Sequence, residues 1–122
     1  MIGYVTFGTN DLGRAGKFYD ALLAVFGAKR TMEMETFIAW GTSPTTPMVS
    51  IIKPFDKKAA TVGNGVMVAL LASSKEQVNA IHKKALELGG KDEGAPGPRG
   101  PGFYAGYFRD LDGNKLNAFF IG

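Results

Sequence analysis

The segment Gly3–Ala28 recurs without a gap as Val66–Lys91, at a constant offset of 63 residues. Tyr4 then falls on Met67, Phe18 on Ile81, Leu23 on Leu86 and Gly27 on Gly90. Identity between the copies is low, yet both read as a short apolar strand, a polar cap, an amphipathic helix and a glycine stop. Two copies are too few for a solenoid, which needs at least three stacked repeats. The expectation is two similar modules, with any site in the seam between them.

Element by element, Ile2–Gly8 alternates as a strand, with Ile2, Tyr4 and Thr6 on one side and Val5 and Phe7 on the other. Thr9-Asn10-Asp11 offers N-caps, and Leu12, Ala15, Phe18, Tyr19, Leu22, Leu23 and Phe26 follow helical spacing up to a C-cap at Gly27. Strands are expected near Lys29–Met34, Thr36–Trp40 and Met48–Lys53. The polar stretch from Pro54 to Asn64 makes a linker. The second module repeats the order: a strand at Val66–Ala72, a helix capped by Ser73-Ser74 and stopped by Gly89-Gly90, and strands at Phe103–Arg109 and Lys115–Ile121. The last two are joined by Asp110-Leu111-Asp112-Gly113-Asn114, where Asp-Gly signals a hairpin. Glu93–Gly102 reads as a Gly/Pro-rich loop, after a weakly marked strand at Lys91–Asp92. The coarse pattern is βαβββ–βαβββ: one domain over residues 1–122, with module one at 1–54, a linker at 55–64 and module two at 65–122.

Composition narrows the chemistry. The chain has no cysteine, which removes disulfides, thiolate zinc sites and cysteine nucleophiles and fits a reducing, cytoplasmic setting. The net charge of +3 is scattered rather than gathered in a basic stripe, so nucleic acid is not an expected partner. No stretch approaches a membrane span, and the opening Met-Ile-Gly-Tyr-Val-Thr-Phe lacks the basic and apolar regions of a signal peptide. Ile2 stands where N-myristoylation needs glycine.

Several motifs dissolve on inspection. Asp110–Asn114 places Gly113 fourth, and Ile121 takes the twelfth position where a calcium loop wants glutamate. Gly94–Gly102 contains three prolines, which remove N–H donors that a phosphate cradle needs, although Arg99 could face an anionic ligand from a rim loop. His82 is the only histidine and is expected to be a partly exposed helix residue. Most strand aromatics (Trp40, Phe103, Tyr104, Tyr107, Phe119, Phe120) should be core, with a subset free to line a pocket if helices cover one face of each sheet.

Asn10-Asp11-Leu12, Phe18-Tyr19-Asp20-Ala21-Leu22-Leu23, Gly89-Gly90, Gly94-Ala95-Pro96-Gly97 and Tyr107 through Leu116 occur in that order on the repeat. In this arrangement the chain resembles the vicinal oxygen chelate superfamily: glyoxalase I, bleomycin-resistance proteins and extradiol dioxygenases. The resemblance covers essentially the whole chain. It implies an α+β fold in which two βαβββ modules form a curled mixed sheet around a shared cavity, usually in a homodimer. Metal-dependent members draw on a histidine from the first strand of a module and a carboxylate from the last. Carried over, those positions are Tyr4, Ser50 (in a register the sequence leaves open), Met67 and Asn117.

Phenol, hydroxyl, thioether and carboxamide are poor donors for a divalent cation, so no metal and no cofactor is expected there. The resemblance extends to metal-free members that sequester drugs, and it implies here a small-molecule-binding protein that sequesters a drug or metabolite. Its ligand would be lined by Tyr4, Ser50, Met67, Tyr107 and Asn117, with Trp40 or Phe103 near the rim. Two other functions stay open: a lyase or isomerase resembling glyoxalase with an atypical site, and a non-catalytic dimerisation module whose cavity is filled. A five-residue loop at Asp110–Asn114 would set Tyr107 across from Asn117, whereas a two-residue turn would shift that register by one.

Overall fold

A computed structural model describes residues Met1–Gly122, which divide into two compact units, Met1–Val62 and Gly63–Gly122. The first contains β1 (Tyr4–Gly8), α1 (Leu12–Leu23), a single 3-10 turn at Ala24–Phe26, β2 (Lys29–Glu33), β3 (Phe37–Gly41) and β4 (Met48–Ile52). The second contains β5 (Val68–Leu71), α2 (Lys75–Glu87), β6 (Lys91–Pro98), β7 (Phe103–Arg109) and β8 (Lys115–Ile121). Each unit is a four-stranded mixed sheet with one helix, ordered β1-β4-β3-β2 in the first and β5-β8-β7-β6 in the second. The first and last strands of each unit run parallel and the other pairs antiparallel. This is the α+β, twice-βαβββ architecture that the repeat implied.

The repeat offset is visible in the caps. The Asp11 carboxylate accepts from the Arg14 N–H at the start of α1, and the Ser74 hydroxyl accepts from the Gln77 N–H at the start of α2. Each bond satisfies an amide that the helix cannot. Both donor and acceptor are displaced by the same 63 residues. The correspondence slips by one at the helix ends, because the left-handed residue that stops the chain is Gly27 (φ 77°) in one unit and Gly89 (φ 96°) in the other. An added 3-10 turn after α1 accounts for the slip.

Helical spacing buries Ala15, Phe18, Tyr19, Leu22 and Leu23 on α1, and Val78, Ile81 and Ala85 on α2. Against α1 lie Phe7, Ile38 and Trp40, with Tyr19 stacked on Phe7 and 5.6 Å from Trp40 between ring centroids. Against α2 lie Gly106 and Phe108, with buried Leu116 and Ala118 beside them on β8. Because strand side chains alternate, the odd-numbered residues of β7 and β8 take the opposite, helix-free face.

Three expectations are corrected. The strand expected at Lys91–Asp92 runs on to Pro98, so the Gly/Pro-rich loop expected at Glu93–Gly102 shrinks to the turn before Phe103. β6 is an edge strand with two register shifts against β7, and edges and bulges are where proline is tolerated. His82 is buried (6% exposed) rather than partly open, and its Nε2 lies 2.9 Å from the Asp92 carboxylate of β6. Trp40 belongs to the core beneath α1, not to a rim. It is 1% exposed, and its indole N–H donates to Asp20 Oδ1 at 2.8 Å.

Asp20 also accepts two bonds from the Arg30 guanidinium (2.8 and 2.9 Å), joining α1 to β2 and β3. The Arg30 hydrogen bond, aided by that from Trp40, holds the Asp20 carboxyl below its ordinary value of 3.8. Stability from this group is therefore present above that value and is lost as the pH falls through the lower folded one. Asp20→Ala should cost about 1–2 kcal/mol, because it strands a buried indole N–H. Asp20→Asn should cost less and should remove part of the acid-induced loss, as read by urea unfolding across acidic pH.

Candidate functional site

The helix-free face of the second sheet is set by the β7–β8 hairpin. Asp110 fixes the five-residue loop: its Oδ1 accepts the N–H groups of Asp112 and Asn114, and its Oδ2 accepts the Asn114 amide. The resulting register sets Arg109 opposite Lys115 and Tyr107 opposite Asn117. Directly opposed residues share a face, so Tyr107 and Asn117 are neighbours. On its other side Asn117 faces Ala69 of β5. Further along the same face Phe103 stacks on Phe119, with centroids 5.6 Å apart.

Asn117 is the anomaly of this face. It is 2% exposed, and its Oδ1 is the one buried side-chain oxygen or nitrogen without a hydrogen-bond partner. Leaving a buried carbonyl unpaired costs free energy comparable to a lost hydrogen bond, about 1–3 kcal/mol. Such exceptions ask for an explanation, one being that the group is kept for an external partner.

Ser50 is its counterpart in the first unit. It pairs with Thr6 of β1, as Asn117 pairs with Ala69 of β5, and positions 6 and 69 are again 63 residues apart. There the likeness ends. The Ser50 hydroxyl donates to the Val5 carbonyl at 2.8 Å, and the β3 residue opposite it is Ala39 rather than a tyrosine. Tyr4 lies two residues before Thr6, is 58% exposed, and meets Phe37 edge to face at 6.1 Å. Met67 directly precedes β5 and is also exposed. The structure thus places Tyr4 and Ser50 together on the first sheet, and Tyr107, Asn117 and Phe103 together on the second. It removes Trp40 from either group.

Sequence reasoning offered Arg99 to an anionic ligand but missed Lys115 and the meeting of both cations at Tyr107. The Arg99 guanidinium lies 5.6 Å and the Lys115 ammonium 5.7 Å from the Tyr107 ring centroid. Arg99 is anchored by donation to the carbonyls of Ala95 (2.6 Å) and Pro98 (3.3 Å). Beside them Arg109 donates from Nε to the Glu93 carboxylate and from Nη1 to the Gly113 carbonyl. The Arg109 hydrogen bond, with the positive field of Arg109, Lys115 and Lys91, holds the Glu93 carboxyl below its ordinary value. The unread signal was Lys115, two residues from Asn117 and therefore on its face.

A model of the Glyoxalase/Bleomycin resistance protein/Dioxygenase superfamily matches residues 1–118. The chain belongs to this superfamily. A glyoxalase/bleomycin resistance protein from Albidiferax ferrireducens is 37% identical, with a TM-score of 0.89 over 98% of this chain and 97% of that one. Two more distant structures share the superfamily fold. Lactoylglutathione lyase from Agrobacterium tumefaciens is 19% identical (TM-score 0.70, covering 98% of this chain and 92% of that one). The fosfomycin resistance protein FosX from Mesorhizobium loti is 18% identical (TM-score 0.70, covering 100% and 92%). No curated protein matches.

Metal-dependent members of the superfamily need imidazole and carboxylate donors, and the residues here do not fit a metal. Tyr4, Ser50, Met67 and Asn117 supply neither type, and Ser50 already commits its proton to a backbone carbonyl. Nowhere do three or more His, Cys, Asp or Glu side chains gather in a way that could hold a metal ion.

The contrast between Ser50 and Asn117 is measurable. Ser50→Ala should destabilise the protein by about 0.5–1.5 kcal/mol, the net worth of an ordinary hydrogen bond. Asn117→Leu should leave ligand-free stability unchanged or raise it, because an unpaired acceptor disappears. Denaturant unfolding of both variants checks this.

Proposed function

We propose that the chain is a small-molecule-binding protein of the glyoxalase/bleomycin resistance superfamily that sequesters a drug or metabolite without a metal, and acts as a homodimer in the cytoplasm. Asn117 and Tyr107 orient the ligand on the helix-free face of the second sheet, and Met67 and Phe103 supply apolar contact. Tyr4 and Ser50 are the corresponding candidates on the first sheet. The observation that carries this reading is the buried, unpartnered Asn117 Oδ1, at the position that the resemblance assigns to a carboxylate of metal-dependent members.

A carboxamide there cannot replace the charge of a carboxylate, but it can accept one directed hydrogen bond and donate others. Methionine suits a binding role because its flexible thioether adapts to irregular apolar shapes. Exposed apolar side chains on the helix-free faces, Tyr4 on the first sheet and Leu71 and Ile121 on the second, support the dimer, since unpaired apolar surface marks interaction sites.

Protein purified without chelator should contain no stoichiometric zinc, nickel or iron by elemental analysis. A stoichiometric metal that disappears in Tyr4→Phe or Asn117→Ala would contradict the reading and favour a lyase or isomerase.

A further inference from the structure

The second sheet's helix-free face changes character along its length. At one end stand Phe119, Phe103, Leu71 and Ile121: Phe103 is paired with Ile121 and stacked on Phe119, which is itself paired with Leu71. Asn117 and Tyr107 occupy the middle. At the other end Lys115, Arg109 and Lys91 lie side by side in adjacent strands, and Arg99 reaches the Tyr107 ring from the turn beyond β6. One carboxylate, Glu93, stands among these four cations, and Arg109 already engages it. The face is therefore apolar at one end, has an unsatisfied acceptor at its centre, and carries uncompensated positive charge at the other end.

Same-face residues on a strand lie about 6.6–6.8 Å apart, so Phe119 and Lys115 are separated by about 13 Å with Asn117 midway. A molecule spanning that distance would place its parts in sequence against Phe119, Asn117 and Lys115. Gly94 helps to keep the cationic end open. A Cβ there would come within 3.3 Å of the Tyr107 ring and 3.4 Å of the Arg99 guanidinium, crowding the contact between them.

We infer that this face binds a small organic anion with three parts in a row: an apolar, preferably aromatic body on Phe103 and Phe119, an N–H or O–H donor to Asn117 Oδ1, and an anionic head beside Lys115 and Arg99. The inference rests on the ligand-binding reading above and adds to it the sign of the charge and the orientation of the ligand. Two cations at one tyrosine ring hold an anion by charge, while the ring keeps their stems in place through cation–π contact. The donor to Asn117 fixes the register, because only one position along the strip offers a buried acceptor.

Two fluorescent dyes test it directly. 8-Anilino-1-naphthalenesulfonate has the aromatic body, the N–H and the anion; N-phenyl-1-naphthylamine has the same body and N–H without the anion. Both are titrated into the full chain, wild type and variant. The wild type should prefer the sulfonate. Lys115→Gln and Arg99→Gln should each weaken the sulfonate about 2–5-fold, the worth of one partly exposed ion pair, and leave the uncharged dye unchanged. Salt should weaken only the sulfonate. Asn117→Leu should weaken both dyes about fivefold or more through the lost hydrogen bond.

Equal binding of the two dyes, indifferent to both charge variants, would overturn the anion while leaving a ligand site in place. Sulfonate binding unaffected by all three variants would overturn the location. If neither dye binds, this inference and the binding reading beneath it both fall.

Discussion

One helix can cover only one face of a four-stranded sheet, and the rest of each unit depends on that constraint. Phe7, Ile38, Trp40 and Ile51 go to the covered side in the first unit, as Gly106, Phe108, Leu116 and Ala118 do in the second. Strand alternation then sends Thr6, Ala39 and Ser50 to the uncovered face of one sheet, and Ala69, Tyr107 and Asn117 to that of the other. A residue on the covered side is chosen for packing against the helix. A residue on the uncovered side is free of that demand, and there the two copies of the repeat have diverged.

The divergence is chemical rather than architectural. Ser50 and Asn117 hold the same place in their sheets, but one closes its hydrogen bond on a backbone carbonyl and the other leaves a buried oxygen without a partner. Ala39 and Tyr107 likewise hold matching places, and only the second gathers cations around it. The first sheet resolves its polar groups internally; the second retains an unmet acceptor beside positive charge. An unmet buried acceptor lowers stability, and on the proposed reading its retention exchanges stability for function.

How much of this was legible in the sequence depended on whether the signal was local. Helix caps are local: Asp11 and Ser74 are polar residues set directly before a run of helical spacing, and both capping bonds form. The Asp110–Asn114 hairpin is local too, and its loop length fixes Tyr107 opposite Asn117. The extent of β6 beyond Asp92 was hidden because proline argues against a central strand, and nothing in the residues themselves says that this strand lies at an edge. Trp40 was misplaced because Phe37-Ile38-Ala39-Trp40 is apolar throughout, so alternation cannot say which parity meets the helix. The burial of His82 depended on Asp92, ten residues away on another element. The approach of Arg99 to Tyr107 depended on the bulges of β6. Contacts made through tertiary register leave no periodic trace.

On the proposed reading, a ligand sits on the second sheet's uncovered face, around Asn117. The most direct measurement is a heteronuclear NMR titration of isotope-labelled protein with 8-anilino-1-naphthalenesulfonate, tracking backbone amides and the Asn117 side-chain amide. A ligand bound there should shift the Asn117 side-chain resonances and the backbone amides of Tyr107, Lys115 and Phe119 together along one saturating curve. Saturating shifts confined to the helices, with the Asn117 side-chain amide unmoved, would contradict it.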